Sequence, residues 1–221
     1  MDKPRLLDLF CGAGGAGMGY SRAGFEVTGI DIKPQKRYPF RFMQGDALEY
    51  LYKYGHEYDV IHASPPCQRY STQTAMEHRN NHPDLIAPTR ELLQLIDRPY
   101  IIENVPNARK HLINPIRLCG TSFGLRVWRH RYFELGGFDI LLVPPCQHNV
   151  EIVYMTGSTG NSSYPDSFKR KEWPIQEIRD ACGIQWMTRN EIDEAIPPAY
   201  TEYIGRWMME NVFASHSITR L

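Results

Sequence analysis

The chain reads as an α/β protein built on a doubly wound, mostly parallel Rossmann-like sheet. Three observations predict this: short apolar runs alternate with amphipathic segments through the first half, a glycine-rich stretch separates the first apolar run from a small-residue segment, and a long polar loop follows a later run. In order, RLLDLF (5–10), EVTGI (26–30), RFMQ (41–44), YDVIHA (58–63) and PYIIENV (99–105) are expected as strands, with a helix over 46–53. RYFEL (131–135) and FDILLV (138–143) are expected as a hairpin joined by Gly136 and Gly137. Helical patterns follow residue 173, and Pro197 and Pro198 open a last helix through YTEYIGRWMMENVF.

Two stretches, 64–88 and 144–173, lack this periodicity and are expected as loops, the first at a strand end where functional loops are common. The 221 residues fit one domain with a normal core, and no apolar run approaches the ~20 residues of a membrane span. MDKPRLLDLF lacks the apolar stretch and cleavage site of a secretory signal. Five scattered cysteines, an odd number without a C-x-x-C pair, favour free thiols in a reducing cytoplasm.

Net charge is zero, which argues against a protein held to nucleic acid by bulk electrostatics. The charge is unevenly spread, however. Residues 98–131 hold seven Lys/Arg against one acid, a local +6, whereas 172–194 hold six acids against two arginines. The first window predicts a basic surface; the second reads as the solvated sides of helices.

DLFCGAGG (8–15) follows an apolar strand, so its glycines let the backbone approach a ligand at a helix N-terminus. A structural turn and a dinucleotide site are the competing readings, and the lack of a following Lys-Ser/Thr argues against a P-loop. Asp31, ending the second strand, is placed to accept from two ribose hydroxyls. Asp46, after the third, suits either an exocyclic adenine amine or the N-cap of the next helix. Together these point to an adenosine ligand. Cys67 follows two prolines at a strand end, where the side chain can project into a cleft; taken alone, it reads as a buried structural thiol rather than a reactive one.

Taken in order, DLFCGAGG, SPPCQRYS, IIENV and the R-H-R of WRHRYF resemble the cytosine-C5 DNA methyltransferase family, with Glu103 placed 36 residues after Cys67. Residues 5–135 carry the resemblance, and the compact size is similar to that of phage- or prophage-encoded members. The resemblance implies a class I S-adenosylmethionine-dependent methyltransferase fold. It also implies duplex DNA as partner, no membrane association, a monomer, and a cytoplasmic location in a bacterial or phage-infected cell.

By the same resemblance, Cys67 is the nucleophile that adds to C6 of a flipped-out cytosine, and it should favour the thiolate. Glu103 handles a proton at N3, Arg131 holds the O2 edge, and Arg129 places base or thiolate. Phe10, Gly12, Gly14, Gly15, Asp31, Ile32, Asp46, Ala47 and Pro66 would hold S-adenosylmethionine. Gln68, Arg69, Ser71 and Arg79 of the long loop, with Lys169, Arg170 and Lys171, would contact nucleic acid, the loop acting as a lid with His78 and His82. Asn104 would fix the loop by hydrogen bonds.

The implied division is a catalytic core (1–140), a much reduced target-recognition insert (141–173) and C-terminal helices completing the core (174–221). So short an insert predicts a short recognition sequence or little preference. Where the family has Gly-Asn and a small residue, this chain has Ile196-Pro197-Pro198-Ala199, leaving a modified sulfonium donor open. Cys146 and His148 offer two metal ligands without a second pair, so no structural metal is expected. RNA (tRNA) cytosine methylation and a non-catalytic DNA-binding homologue are the alternatives. A nicotinamide-dependent dehydrogenase leaves PPCQ and ENV unexplained.

Overall fold

In a computed structural model of the chain, residues 2–70, 83–140, 142–153 and 173–214 are described. Five parallel strands, β1 (Arg5–Leu9), β2 (Glu26–Asp31), β3 (Arg41–Gln44), β4 (Val60–Ala63) and β5 (Tyr100–Asn104), form most of the sheet. β6 (Ile116–Leu118) and β7 (Arg131–Gly136) complete seven strands in the order β3-β2-β1-β4-β5-β7-β6, with β7 antiparallel to both neighbours. Helices α1 (Gly15–Ala23), α2 (Ala47–Tyr54), α3 (Ile86–Ile96), α4 (Ile175–Cys182), α5 (Arg189–Glu194) and α6 (Pro198–Met208) surround it.

The near-continuous apolar strands are those of a sheet covered on both faces. Leu7, Leu9, Ile61 and Ile102 pack with Leu51 of α2 and Leu93 of α3, whereas Leu6, Val60, Ile101 and Phe133 pack with Tyr20 of α1 and Tyr200 and Ile204 of α6. Adjacent residues thus go to opposite layers, the period of two that sets strand register. A third cluster joins Val127 and Val153 to Ile178 and Cys182 of α4, with Ile184, Met187 and Ile192.

The expected hairpin is corrected. Strand β7 forms, but 138–140 are not a strand, because both edges of β7 are already used, by β5 and by the three-residue β6. Released from pairing, Phe138 stacks on Trp207 (5.7 Å), Ile140 is buried and Leu142 is exposed. α3 also begins at Ile86, inside the expected loop, with Pro88 in its first turn where a missing amide costs nothing. The last helix starts at Pro198 as the sequence predicts. No described helix is long and apolar enough to cross a membrane.

Candidate active site

The glycine-rich turn leaves β1 through Phe10, which has φ 57, and reaches α1 through Gly14, its N-cap, with φ 87. A Cβ at Gly14 would also meet Pro39 Cδ at 2.8 Å. Asp31, at the end of β2, accepts from the Gly12 amide (3.0 Å) and the Lys33 amide (2.9 Å), so its carboxylate braces the turn. Trp186 Nε1 donates to the Ala13 carbonyl at 2.8 Å. Beyond Gly12 a Cβ would meet nothing within 4 Å, and next to Asp31 the Ile32 side chain is 66% exposed.

Asp46 adopts the capping reading: Oδ1 accepts from the Leu48 and Glu49 amides, both at 2.9 Å, at the start of α2. The residue is nevertheless exposed, just beyond the end of β3, which pairs with the strand carrying Asp31. Ala47 is buried, while Phe10 and Pro66 are half-buried. The Ile196–Ala199 segment lies against the turn, since a Cβ at Gly15 would come within 2.3 Å of the Ile196 carbonyl oxygen.

At the next strand ends, Glu103 of β5 and Arg131 of β7 meet, with Arg131 Nε 2.9 Å from Glu103 Oε1. The N–H is not aligned on that oxygen, so the contact is an ion pair rather than a hydrogen bond. Burial pushes the Glu103 carboxyl above its ordinary range, against the pull of Arg131, a Ser64 hydrogen bond and Arg129. Asn104 donates to the Pro65 carbonyl (2.9 Å) and accepts from the Val105 amide (2.9 Å), tying the SPPC segment to β5.

Cys67 is half-buried, and the charges of Arg131, Glu103 and Arg129 all act on it. The expected thiolate is corrected for the free chain. Desolvation raises the Cys67 pKa more than Arg131 lowers it, leaving the thiol as the resting form.

Arg129 turns inward. Its Nη2 donates to the Asp193 carbonyl (2.6 Å) near the end of α5, and its own carbonyl accepts from Tyr200 (2.5 Å). Burial and Arg131 lower its pKa to about 10. Of the basic window, Arg98, Arg109, Lys110, Arg117 and Arg126 remain exposed. Arg109 and Arg117, with Tyr132, line a cavity of about 370 Å³.

Gln68 and Arg69 follow Cys67 and are half-buried. The Tyr70 hydroxyl donates to Asp84, so the ends of the intervening segment meet. Ser71, Arg79, Lys169, Arg170 and Lys171, with the suggested lid residues His78 and His82, lie outside the described residues.

A buried polar line behind Glu103 escapes sequence reasoning. Tyr20 OH bonds His62 Nδ1 (3.0 Å), His62 Nε2 bonds Ser64 Oγ (2.9 Å), and Ser64 reaches Glu103. Burial drops the His62 pKa to about 3, so the ring is neutral. With Ser64 donating to the carboxylate, the line is consistent only if Nε2 carries the proton and Nδ1 accepts from Tyr20. The histidine of the otherwise apolar run VIHA was the available signal. Asp8, buried in β1, was legible in the same way in LLDL; it accepts from Tyr38 OH at 3.0 Å.

A family model described as C-5 cytosine-specific DNA methylase matches residues 4–115, a span that includes Cys67 and Glu103. The chain is 27% identical over 168 residues to the Type II methyltransferase M.XorII of Xanthomonas oryzae pv. oryzae, covering 64% of this chain and 35% of that protein. It is 30% identical over 119 residues to the Type II methylase M.HgiDII of Herpetosiphon aurantiacus, covering 47% of this chain and 33% of the other. The matches therefore span about a third of these relatives' length. In fold, it is similar to the Entamoeba histolytica methyltransferase EhMeth, with TM-score 0.64, 13% identity, and 96% of this chain and 99% of that one covered.

Proposed function

The chain belongs to the C-5 cytosine-specific DNA methylase family, and from that premise we propose that it transfers a methyl group from S-adenosylmethionine to C5 of a flipped-out cytosine in DNA, through a covalent bond from Cys67. The observation that carries this reading is the meeting of Glu103 and Arg131 (2.9 Å) within electrostatic reach of Cys67.

The turn end of the sheet fits the cofactor: open space beyond Gly12, the Asp31 carboxylate, the exposed Ile32 and the exposed Asp46 would supply a wall, ribose acceptors, an apolar cover and an amine acceptor. Phe10, Gly14, Gly15, Ala47 and Pro66 shape the remainder. When bound, S-adenosylmethionine supplies an electrophilic methyl group, which an unactivated cytosine C5 is too weakly nucleophilic to take.

Cys67 provides the activation. Its thiol passes its proton to a solvent water, Arg131 stabilising the thiolate left behind, and the sulfur adds to C6, passing electron density to C5. Glu103, held in a range where it binds a proton readily, shares that proton with N3 so that charge does not build on the ring. Arg131 holds the O2 edge while its charge stabilises the thiolate. Arg129, anchored at Asp193 and Tyr200, keeps this strand end in place. After methylation, a base or water takes the C5 proton, the C5–C6 double bond re-forms, and the C6–S bond breaks to release the Cys67 thiolate.

Of the exposed cations in the 98–131 window, Arg109 and Arg117, which flank Tyr132 at the sheet end that carries Glu103 and Arg131, are suited to the phosphate backbone. Gln68 and Arg69, next to the nucleophile in sequence, would contact the DNA beside the flipped base. The test is transfer of labelled methyl from S-adenosylmethionine to duplex DNA, single-stranded DNA and tRNA. Labelling of duplex DNA that bisulfite sequencing assigns to cytosine C5 supports the reading. Labelling of tRNA alone replaces DNA with RNA as substrate, and labelling of nothing by a folded, cofactor-binding protein supports a non-catalytic homologue.

A further inference from the structure

Cys119, at the end of β6, His130, immediately before β7, and Cys146 and His148, from the following segment, converge with all four ligand atoms within 4.8 Å of one another. We infer that these side chains form a Cys₂His₂ site for a structural zinc ion, which ties the segment after β7 to the strand ends that carry Arg129 and Arg131.

The edge lengths support this. Zn–S bonds near ~2.3 Å and Zn–N bonds near ~2.0 Å place neighbouring S and N ligands of a tetrahedron about 3.5 Å apart. Two such edges are present: Cys119 Sγ to His148 Nε2 and Cys146 Sγ to His130 Nε2, each 3.6 Å. Both histidines therefore aim the same ring nitrogen at a sulfur, and the two pairs cross-link three separate stretches of chain.

The surroundings hold the ligands in place. Thr121 Oγ1 lies 3.3 Å from Cys119 Sγ and accepts from the Gln147 amide (3.1 Å), joining the buried cysteine to the residue between the last two ligands. Trp128 packs at a tilt against His148, with ring centroids 4.7 Å apart. Such outer contacts orient metal ligands. Two thiolates and two imidazoles suit zinc over magnesium or calcium, which take oxygen ligands.

The reading corrects the expectation of no structural metal, which counted only Cys146 and His148. The missing pair, Cys119 and His130, lies 27 and 16 residues before Cys146, spacings that match no zinc motif. Binding replaces two S–H bonds with two Zn–S bonds and releases two protons to solvent, with no redox change. Because His130 stands between Arg129 and Arg131, and Arg131 Nη1 donates to its carbonyl at 3.2 Å, the ion acts as a positioning group for both arginines.

The test uses untagged full-length protein, purified without chelator from zinc-supplemented cells, and reads bound metal by elemental analysis. The expected result is about one zinc per chain. Cobalt replacement should give the visible bands of a tetrahedral thiolate site, and Cys146→Ala and His148→Ala should abolish or alter them. Because His148 is exposed, its variant should stay folded by circular dichroism, so loss of metal is separable from loss of fold. Chelation should expose two further titratable thiols. Folded wild-type protein without stoichiometric zinc, full zinc retention in the Cys146→Ala/His148→Ala double variant, or a Cys119–Cys146 disulfide in place of metal would each overturn the inference.

Discussion

Asp8 gives a stability prediction whose sign and size follow from its burial in β1. One oxygen accepts from Tyr38, and the other has no protein partner among the described residues. An ionised carboxylate there would be costly, and desolvation pushes its pKa from 3.8 to about 8. Between those values the folded chain keeps a proton that the unfolded chain releases. Stability is therefore lost as pH rises, by about 1.4 kcal/mol per unit for this one group.

Asp8→Asn mimics the protonated acid and removes the titration, so the variant should gain on the wild type as pH rises. From about pH 5.5 to about pH 7.5 the gap should widen by about 2.5 kcal/mol. His62 runs the opposite way: its pKa falls from 6.5 to about 3, so it costs stability as pH drops through that window. In wild type the Asp8 and His62 slopes oppose each other between about pH 4 and 6.5, and Asp8→Asn removes the Asp8 slope while leaving that of His62. Urea unfolding of both proteins across this range, followed by tryptophan fluorescence and circular dichroism, measures the gap. A gap that stays constant with pH would refute the reasoning, because Asp8 would then be ionised in the folded chain.

Three further substitutions separate packing from chemistry. Gly15→Ala puts a Cβ 2.3 Å from the Ile196 carbonyl oxygen, a backbone atom that cannot swing away; it should cost ~1–3 kcal/mol and lower the melting temperature by several degrees. Gly45→Ala, where a Cβ meets nothing within 4 Å, should leave the melting temperature near wild type in the same calorimetric experiment. Glu103→Gln should keep the fold but slow single-turnover methyl transfer by about 10²–10⁴-fold, the usual contribution of a positioned acid–base group.

The strands through β5 are legible because each is an apolar run of strand length. β6 was not: three residues, Ile116 to Leu118, carry too little pattern, and their pairing with β7 is a distant contact that displaces the local hairpin. The same limit governs the site. Cys67, Glu103 and Arg131 stand in recognisable words of sequence, whereas His62, Ser64 and Tyr20 form their line only when β4 lies beside α1 and β5. Cys119 and His130 become partners of Cys146 and His148 only because β6 and β7 pair. The direction of the Cys67 shift depends on how much solvent its neighbours exclude, a quantity set by packing rather than by residue identity.

The central claim is the covalent bond from Cys67 to a cytosine, and trapping on 5-fluorocytosine-containing duplex DNA with S-adenosylmethionine tests it most directly. The fluorine at C5 cannot leave as a proton does, so the adduct should persist through denaturing electrophoresis and digest to a modified peptide containing Cys67. Cys67→Ser should form none while keeping the wild-type circular dichroism spectrum. A folded wild-type protein that binds cofactor and DNA yet forms no adduct, or an adduct that survives in Cys67→Ser, would contradict the assignment.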